Sequence, residues 1–424
     1  MRTETIVEIF FFDAGGGHRS AMNSLREVLA ERRPEWRVVP VDLQKLLEPV
    51  DPIHRMTGRL SKPLHQVLDP FAPNLAFDPV QTQSLYNTAL KVGATYGFGA
   101  IMPMLKLFIS RHSAEIEALL AQRWIGAARP DLVVSVIPNF NGVMFHALRS
   151  VHPDVPYVTI MTDMVDCPPH FWMENQDQFL VCGTPAAFAQ ALDTGFYRPQ
   201  RVFRVSGMIL RREFCQAPER ALPTREDLGL APDRPTALIM FGGNGSRLAA
   251  QIVDRLRLCR FDVQSIVLCG RSRKLLARLR GEPDCYAVGF VSNVGDYMRL
   301  ADFFIGKPGP GSISEAVQMG CPVIVECNAR TMPQERPNVE WIRQNGVGLV
   351  VRNFRRNLVK AAERLIEHLE EYKTSIQRNV PPNHAVVEVT EILGRIVAEQ
   401  DSVPVAAHLG RHLGNMPLPA YRRS

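Results

Sequence analysis

Phe303-Phe304-Ile305-Gly306-Lys307-Pro308-Gly309-Pro310-Gly311-Ser312-Ile313-Ser314-Glu315-Ala316 runs from an apolar strand, through a loop punctuated by glycine and proline, into a helix. Ser312 and Glu315 stand three apart, the spacing of a reciprocal capping box, which predicts a helix opening at Ser312. Gly309 and Gly311 carry no Cβ, so backbone N–H groups can approach a ligand closely. Those donors and the positive end of the helix dipole make a seat for a diphosphate. Glu315 is then placed to accept hydrogen bonds from vicinal hydroxyls such as a ribose diol. An ordinary strand–turn–helix joint has the same spacing, so the spacing leaves both readings open.

Working outward, the same strand–loop–helix unit recurs. The first half reads as strand 6–12, a glycine loop at Ala14-Gly15-Gly16-Gly17-His18, a helix to Arg32, and a strand 36–41 closed by Asp42. Further strands are predicted at 132–137, 157–161, 178–182 and 201–205. Near residue 236 the pattern restarts: strand 236–241, loop Gly242-Gly243-Asn244-Gly245-Ser246, and helix 247–259. Strand 262–269, helix 274–280, strand 285–289, helix 294–299, strand 302–305 and strand 322–326 follow. Strands alternating with helices imply parallel sheets covered on both faces. Two tandem Rossmann-like, doubly wound α/β domains are expected: residues 1–206, with an insertion at 49–130, and residues 207–382, joined across 206–223. Each sheet places its glycine loop at its carboxyl edge, where such folds bind ligands, and the facing edges leave an inter-domain cleft. A helix at 383–400 is expected to cross back onto the first domain, and residues 401–424 form an aperiodic tail.

The chain has 424 residues, 46% of them hydrophobic, enough for two cores. A net charge of +6 suits an anionic nucleotide, an anionic membrane surface or nucleic acid, without choosing among them. Eight cysteines are scattered without a CxxC pair or a His/Cys cluster, which argues for reduced thiols and against zinc. No uninterrupted apolar run reaches the roughly 18 residues of a membrane span, and the N-terminal apolar stretch lacks signal-peptide features, so a soluble or peripheral protein is expected.

Gly15, Gly17 and Ser20 partly fit a dinucleotide fingerprint, with Asp42 closing the second strand. Against that reading stand His18 at the helix N-terminus and a second half with its own nucleotide loop. A helix N-terminus disfavours imidazolium, so His18 is expected to be neutral and able to accept a proton, although a histidine that merely caps and packs fits the same place. Thr162-Asp163 closes an apolar strand, which turns Asp163 toward the cleft, to orient His18 or act as the base itself.

Lys307-Pro308-Gly309-Pro310-Gly311-Ser312-Ile313-Ser314-Glu315-Ala316 resembles the donor-nucleotide motif of the lipid glycosyltransferases that include monogalactosyldiacylglycerol synthase and the processive diacylglycerol glucosyltransferases. Asp13-Ala14-Gly15-Gly16-Gly17-His18-Arg19 resembles their D-x-G-G-G-H-R segment. The likeness spans roughly residues 5–395. It implies the GT-B architecture, a cleft position for His18 near the acceptor hydroxyl, and His18 or Asp163 as the catalytic base. Thr162-Asp163 through Pro168-Pro169-His170-Phe171-Trp172 is similar to the family's T-D-…-H-P-x-W stretch. The local order differs, so His170 and Trp172 are expected on an acceptor loop and His170 is not assigned catalysis.

The resemblance also implies donor contacts. Gly17, Gly243, Asn244, Gly245 and Ser246 would approach the phosphates, and Phe290 and Val291 would flank the uracil. Gly309, Pro310, Gly311 and Ser312 would seat the diphosphate and Glu315 the ribose. Arg271 is either a phosphate contact or a solvated cation. Pro333-Gln334-Glu335-Arg336-Pro337-Asn338 stands where the family has G-Q-E-x-G-N, both glycines replaced by proline. Gln334, Glu335 and Asn338 at that loop tip are expected to touch the sugar. In the insertion, cations beside apolar faces suit anionic lipid. Leu85-Tyr86-Asn87 through Lys91-Val92-Gly93 also resembles a segment of these transferases. Arg55, Arg59, Tyr86 and Asn87 are the acceptor or membrane candidates.

The expectation is therefore an inverting enzyme moving galactose or glucose from a UDP-sugar to diacylglycerol, with no metal, no cofactor beyond the donor substrate and no nucleic-acid partner. It would sit in the cytoplasm, peripherally on the inner face of the plasma membrane. The same fold acting on a peptidoglycan lipid intermediate or a soluble glycan, a UDP-sugar epimerase, and a non-catalytic nucleotide-sugar-binding protein are the rivals.

Overall fold

The computed structural model describes residues 4–12, 16–50, 106–107, 109–216, 218 and 220–401. Two six-stranded sheets, parallel throughout, carry the fold. The first contains β1 (Thr5–Phe11), β2 (Trp36–Asp42), β3 (Leu132–Ser135), β4 (Tyr157–Ile160), β5 (Phe179–Cys182) and β6 (Val202–Arg204), in the order β2-β1-β3-β4-β5-β6. The second contains β7 (Thr236–Met240), β8 (Gln264–Leu268), β9 (Cys285–Val288), β10 (Phe303–Gly306), β11 (Val323–Glu326) and β12 (Gly348–Val351), in the order β12-β11-β10-β7-β8-β9.

Strands buried on both faces read as continuous apolar runs, and β3, β4, β8 and β10 are buried throughout. The chain order reverses between β1 and β3 in one sheet and between β7 and β10 in the other. At such a switch point the connections leave toward opposite sides and open a crevice beyond the carboxyl ends of the strands.

The helix Gly17–Arg32 follows β1, and the helix Pro310–Gln318 follows β10. The second starts two residues before the expected Ser312 and lacks the capping box. Gly309 is its N-cap, without a side-chain cap bond, and Pro310 occupies the first turn, where its missing N–H costs nothing. Ser312 is therefore inside the first turn. β12 is absent from the sequence reading: it is short and only partly buried, and its first residue is glycine.

The helix Ala385–Asp401 leaves the second sheet and packs into the first. Ala385, Val389, Ile392, Leu393 and Ile396 share one buried cluster with Val7 and Ile9 of β1 and Leu25 of the first helix. The two chain crossings are stitched together: Asn383 Nδ2 donates to the Met208 carbonyl at 2.9 Å, and the His384 amide donates to Ser206 Oγ at 2.7 Å. Gly207 has no room for a Cβ, which would lie 2.4 Å from the Asn383 amide nitrogen.

Candidate functional site

His18 stands in the first turn of its helix, at the switch point of the first sheet. Its Nδ1 lies 2.7 Å from the carbonyl oxygen of Val136, in the loop after β3, and 3.2 Å from Thr162 Oγ1, after β4. A carbonyl only accepts, so Nδ1 carries the proton and Nε2 keeps the lone pair. Burial pushes the imidazole down to about 4, with the Val136 bond opposing, so the ring is neutral at physiological pH.

Asp163 is buried, and its Oδ2 accepts from the Trp172 indole at 2.8 Å. Burial pushes its carboxyl up to about 7; the indole bond and Lys307 pull it down, while Glu335 and Asp166 push it further up. Asp163 therefore does not orient His18, as the sequence suggested it could; Val136 and Thr162 do. Trp172 is fully buried and lies 6.2 Å, ring to ring, from His18. The sequence places it on an acceptor loop; within that loop the indole is buried as an internal strut between the two candidate bases. His170 is exposed and turned outward, its Nδ1 3.2 Å from the Met173 carbonyl.

Asp166 was missed in sequence and organises this loop. Its carboxylate accepts the His170 amide at 2.7 Å and the Trp172 amide at 2.6 Å, while its own N–H and carbonyl are gripped by the Gln190 side chain. Asn139, also missed, follows β3 with φ of 66°, and its buried Oδ1 has no hydrogen-bond partner. Neither position belongs to a motif; only the fold brings them here.

The second sheet supplies the opposite wall. Gly245 and Gly270 lock two loops together: a Cβ on Gly245 would meet the Cys269 carbonyl at 2.2 Å, one on Gly270 the Gly243 carbonyl at 2.4 Å, and both have positive φ. The Arg271 amide donates to the Gly243 carbonyl at 2.9 Å, and its guanidinium lies 5.0 Å over the ring of Phe290, which is 56% exposed. An exposed aromatic braced by an arginine offers a flat face for a base to stack on. Val291 is only partly buried beside it. Asn244 is half-buried, and Ser246 spends its hydroxyl accepting the Leu248 amide at 3.2 Å. Gly311 borders open space at the start of the helix Pro310–Gln318, and Glu315 lies within that helix. Burial pushes the Glu315 carboxyl up to about 7, with Arg211 opposing and Glu213 reinforcing.

Gln334 and Glu335 sit not at a loop tip but in the turn Pro333–Glu335 that leads into the helix Arg336–Asn345. Glu335 is buried and ion-paired with Lys307 at 2.8 Å. Lys307 belongs to the glycine–proline motif, and its partner, 28 residues on, is visible only in the fold. Asn338 is fully buried, and its Nδ2 donates to the Pro308 carbonyl at 2.9 Å, holding the glycine–proline loop. Gln334 Oε1 and Asn338 Oδ1 are buried without partners, as expected where a polar ligand completes the bonding. The two walls meet where Cys167 Sγ lies 3.5 Å from the Pro333 carbonyl.

Arg55, Arg59, Tyr86 and Asn87 lie outside the described residues, as do most of the insertion and the tail. Among the described residues no group of three His, Cys, Asp or Glu side chains is arranged to hold a metal, and all eight cysteines are free thiols.

Residues 52–203 match the family described as monogalactosyldiacylglycerol (MGDG) synthase, and residues 237–396 match the glycosyltransferase family 28 C-terminal domain. The two matches fall on the two sheet-bearing halves of the chain, in the same order. A probable monogalactosyldiacylglycerol synthase 2 of Oryza sativa subsp. indica is 31% identical over 257 residues, covering 58% of this chain and 54% of the relative. Monogalactosyldiacylglycerol synthase 1 of Arabidopsis thaliana is 25% identical over 81% of this chain and 61% of its own length. The chain thus spans a little over half to about three fifths of the length of these relatives. Synthase 3 of Arabidopsis thaliana is 25% identical over 95% of this chain and 84% of its own length.

Among solved structures, Acinetobacter baumannii MurG superposes with a TM-score of 0.54 at 12% identity, over 92% of this chain and 99% of that one. Anabaena Alr3699/HepE, in complex with UDP and glucose, gives 0.51 at 16% identity, over 93% and 100%. At such identities the likeness is one of fold: the two-sheet architecture is GT-B, as expected.

Proposed function

We propose that this chain is an inverting glycosyltransferase that moves a hexose, galactose or glucose, from a UDP-sugar to the hydroxyl of diacylglycerol. The observation that carries the chemistry is the tautomer of His18: the Val136 carbonyl takes the Nδ1 proton, leaving Nε2 as a neutral base at the cleft. In a single displacement Nε2 accepts the acceptor proton as that oxygen attacks the anomeric carbon. The bond from that carbon to the diphosphate breaks on the opposite face, and UDP leaves with the electron pair. The N-terminus of the helix Pro310–Gln318 and the loop at 242–246 receive the negative charge. Glu315 holds the ribose; Gln334 and the Lys307–Glu335 pair bracket the sugar. The names of the family's plant members support the acceptor, and the exposed Phe290 and open Gly311 support the nucleotide.

Attachment to an anionic membrane surface through the insertion belongs to the same proposal. The plant relatives are chloroplastic by name, which lends no support to a plasma-membrane location. The test is transfer of radiolabel from UDP-galactose, UDP-glucose or UDP-N-acetylglucosamine, in separate reactions, into phosphatidylcholine vesicles carrying diacylglycerol, with and without an anionic lipid. Label entering the organic phase from one hexose donor is expected, faster with the anionic lipid. UDP binding without lipid product would move the reading to another acceptor or to a binding protein.

A further inference from the structure

The segment joining the two sheets contains the short helix Arg212–Cys215, which packs against both Val294–Arg299 and Pro310–Gln318. Arg212 forms a two-pronged ion pair with Glu31 near the end of the His18 helix. Its neighbour Arg211 faces the other way, donating to the Ser292 carbonyl, directly after Phe290 and Val291. The same guanidinium pairs with Glu213 at 2.6 Å and lies 5.0 Å over Phe214, which fixes its direction. Glu213 Oε2 in turn accepts the Gly295 amide at 3.3 Å, and Arg299 donates to the Glu213 carbonyl at 2.6 Å.

We propose that the inter-domain segment is a wall of the nucleotide site and that Arg211 is a positioning residue for the nucleoside, tying the base loop at 290–292 to the ribose carboxylate Glu315. The proposal rests on the donor reading given above. Its physical content is twofold. The hydrogen bond to Ser292 keeps the stacking face of Phe290 in place. The positive charge favours ionised Glu315, and a carboxylate accepts two hydrogen bonds from a vicinal diol where a protonated acid accepts them poorly. The charged groups acting on Glu315 are Arg211, which favours its ionised form, and Glu213, which opposes it.

Calorimetric titration of the full-length protein with UDP, uridine and inorganic pyrophosphate, between about pH 5.5 and 8.5, tests this. Wild type should bind UDP more tightly as pH rises through about 7, where the Glu315 carboxyl ionises. Arg211→Leu should weaken UDP and uridine by a similar factor, about tenfold, the scale of a lost hydrogen bond from a charged group. It should also move the midpoint to higher pH and leave pyrophosphate unaffected. Arg211→Lys should restore the midpoint, and Glu213→Gln should move it to lower pH, an opposition that a purely structural role would not produce. A loss confined to pyrophosphate, or unchanged UDP affinity and midpoint in folded Arg211→Leu, overturns the proposal while leaving the donor reading intact. Wild type that binds no UDP overturns both.

Discussion

His18 and Asp163 both lie beside the Trp172 indole, and burial drives their titrations past each other, one down to about 4 and the other up to about 7. Both groups are thereby held largely uncharged between about pH 4 and 7. If His18 is the base, His18→Gln should lower kcat by about 100- to 10,000-fold, the usual range for a positioned general base, with UDP affinity unchanged. Unchanged turnover would remove it from that role. Asp163 offers a thermodynamic test. A carboxyl whose folded pKa is raised binds protons more tightly in the native state, so its contribution is fully present below about pH 4 and lost as pH rises through about 7. Asp163→Asn keeps an acceptor for the Trp172 indole and removes that penalty. Thermal melts should show the variant more stable than wild type at pH 8, by at most about 4 kcal/mol at roughly 1.4 kcal/mol per pH unit, with the gap closing near pH 4. Equal melting temperatures at pH 8 would mean that Asp163 ionises normally.

At the scale of the element, the segment 162–172 shows how a loop becomes a fixed wall of the candidate site. It has no regular hydrogen bonding to hold it, so side chains take over: Asp166 accepts two backbone amides and Gln190 clamps Asp166. Asp166→Asn replaces one acceptor oxygen with an NH2 group facing an amide N–H. Steady-state kinetics should then show kcat falling by at least about tenfold, the scale of one lost charged hydrogen bond, with KM for the UDP-sugar nearly constant. A matching rise in that KM would show instead that the loop serves the donor side. The helix Pro310–Gln318 teaches a complementary lesson. Ser312 and Glu315 have a capping-box spacing, yet Pro310 sets a helical φ two residues earlier, and the N-terminus moves with it. The backbone donors of the proposed anion seat are therefore those at the start of that helix, next to the Pro308 carbonyl that Asn338 holds.

For the whole molecule, the helix Ala385–Asp401 closes the core of a sheet whose first strand begins at Thr5. Leu393 is fully buried there. Leu393→Ala should cost about 2–5 kcal/mol, and native-state hydrogen exchange should show the loss in β1 and the His18 helix, far away in sequence. Faster exchange confined to the variant's own helix would contradict that shared core. The crossing also ties the position of His18 to the chain's return path, since Asn383 and Ser206 stitch the two crossings together. Among the described residues no helix is long and apolar enough to cross a membrane.

Local chemistry was enough for much of this. Apolar runs ending in glycine loops marked nearly every strand of both sheets, because a strand buried on both faces must be continuously apolar and its ligand-facing turn needs residues without Cβ. The same reasoning nominated His18, Asp163, Glu315 and Phe290 as site candidates. It missed β12, whose half-buried strand lacks that signal, and it did not show that Trp172 meets Asp163 or that Asn338 meets the Pro308 carbonyl, since a polar or aromatic side chain looks alike in sequence whether it meets a ligand or another part of the chain. Only the tertiary structure decided that Val136 sets the tautomer of His18, that Lys307 pairs with Glu335, and that Arg211 reaches the base loop. Each depends on a contact between segments distant in sequence, and such contacts are chosen by packing rather than by any local spacing.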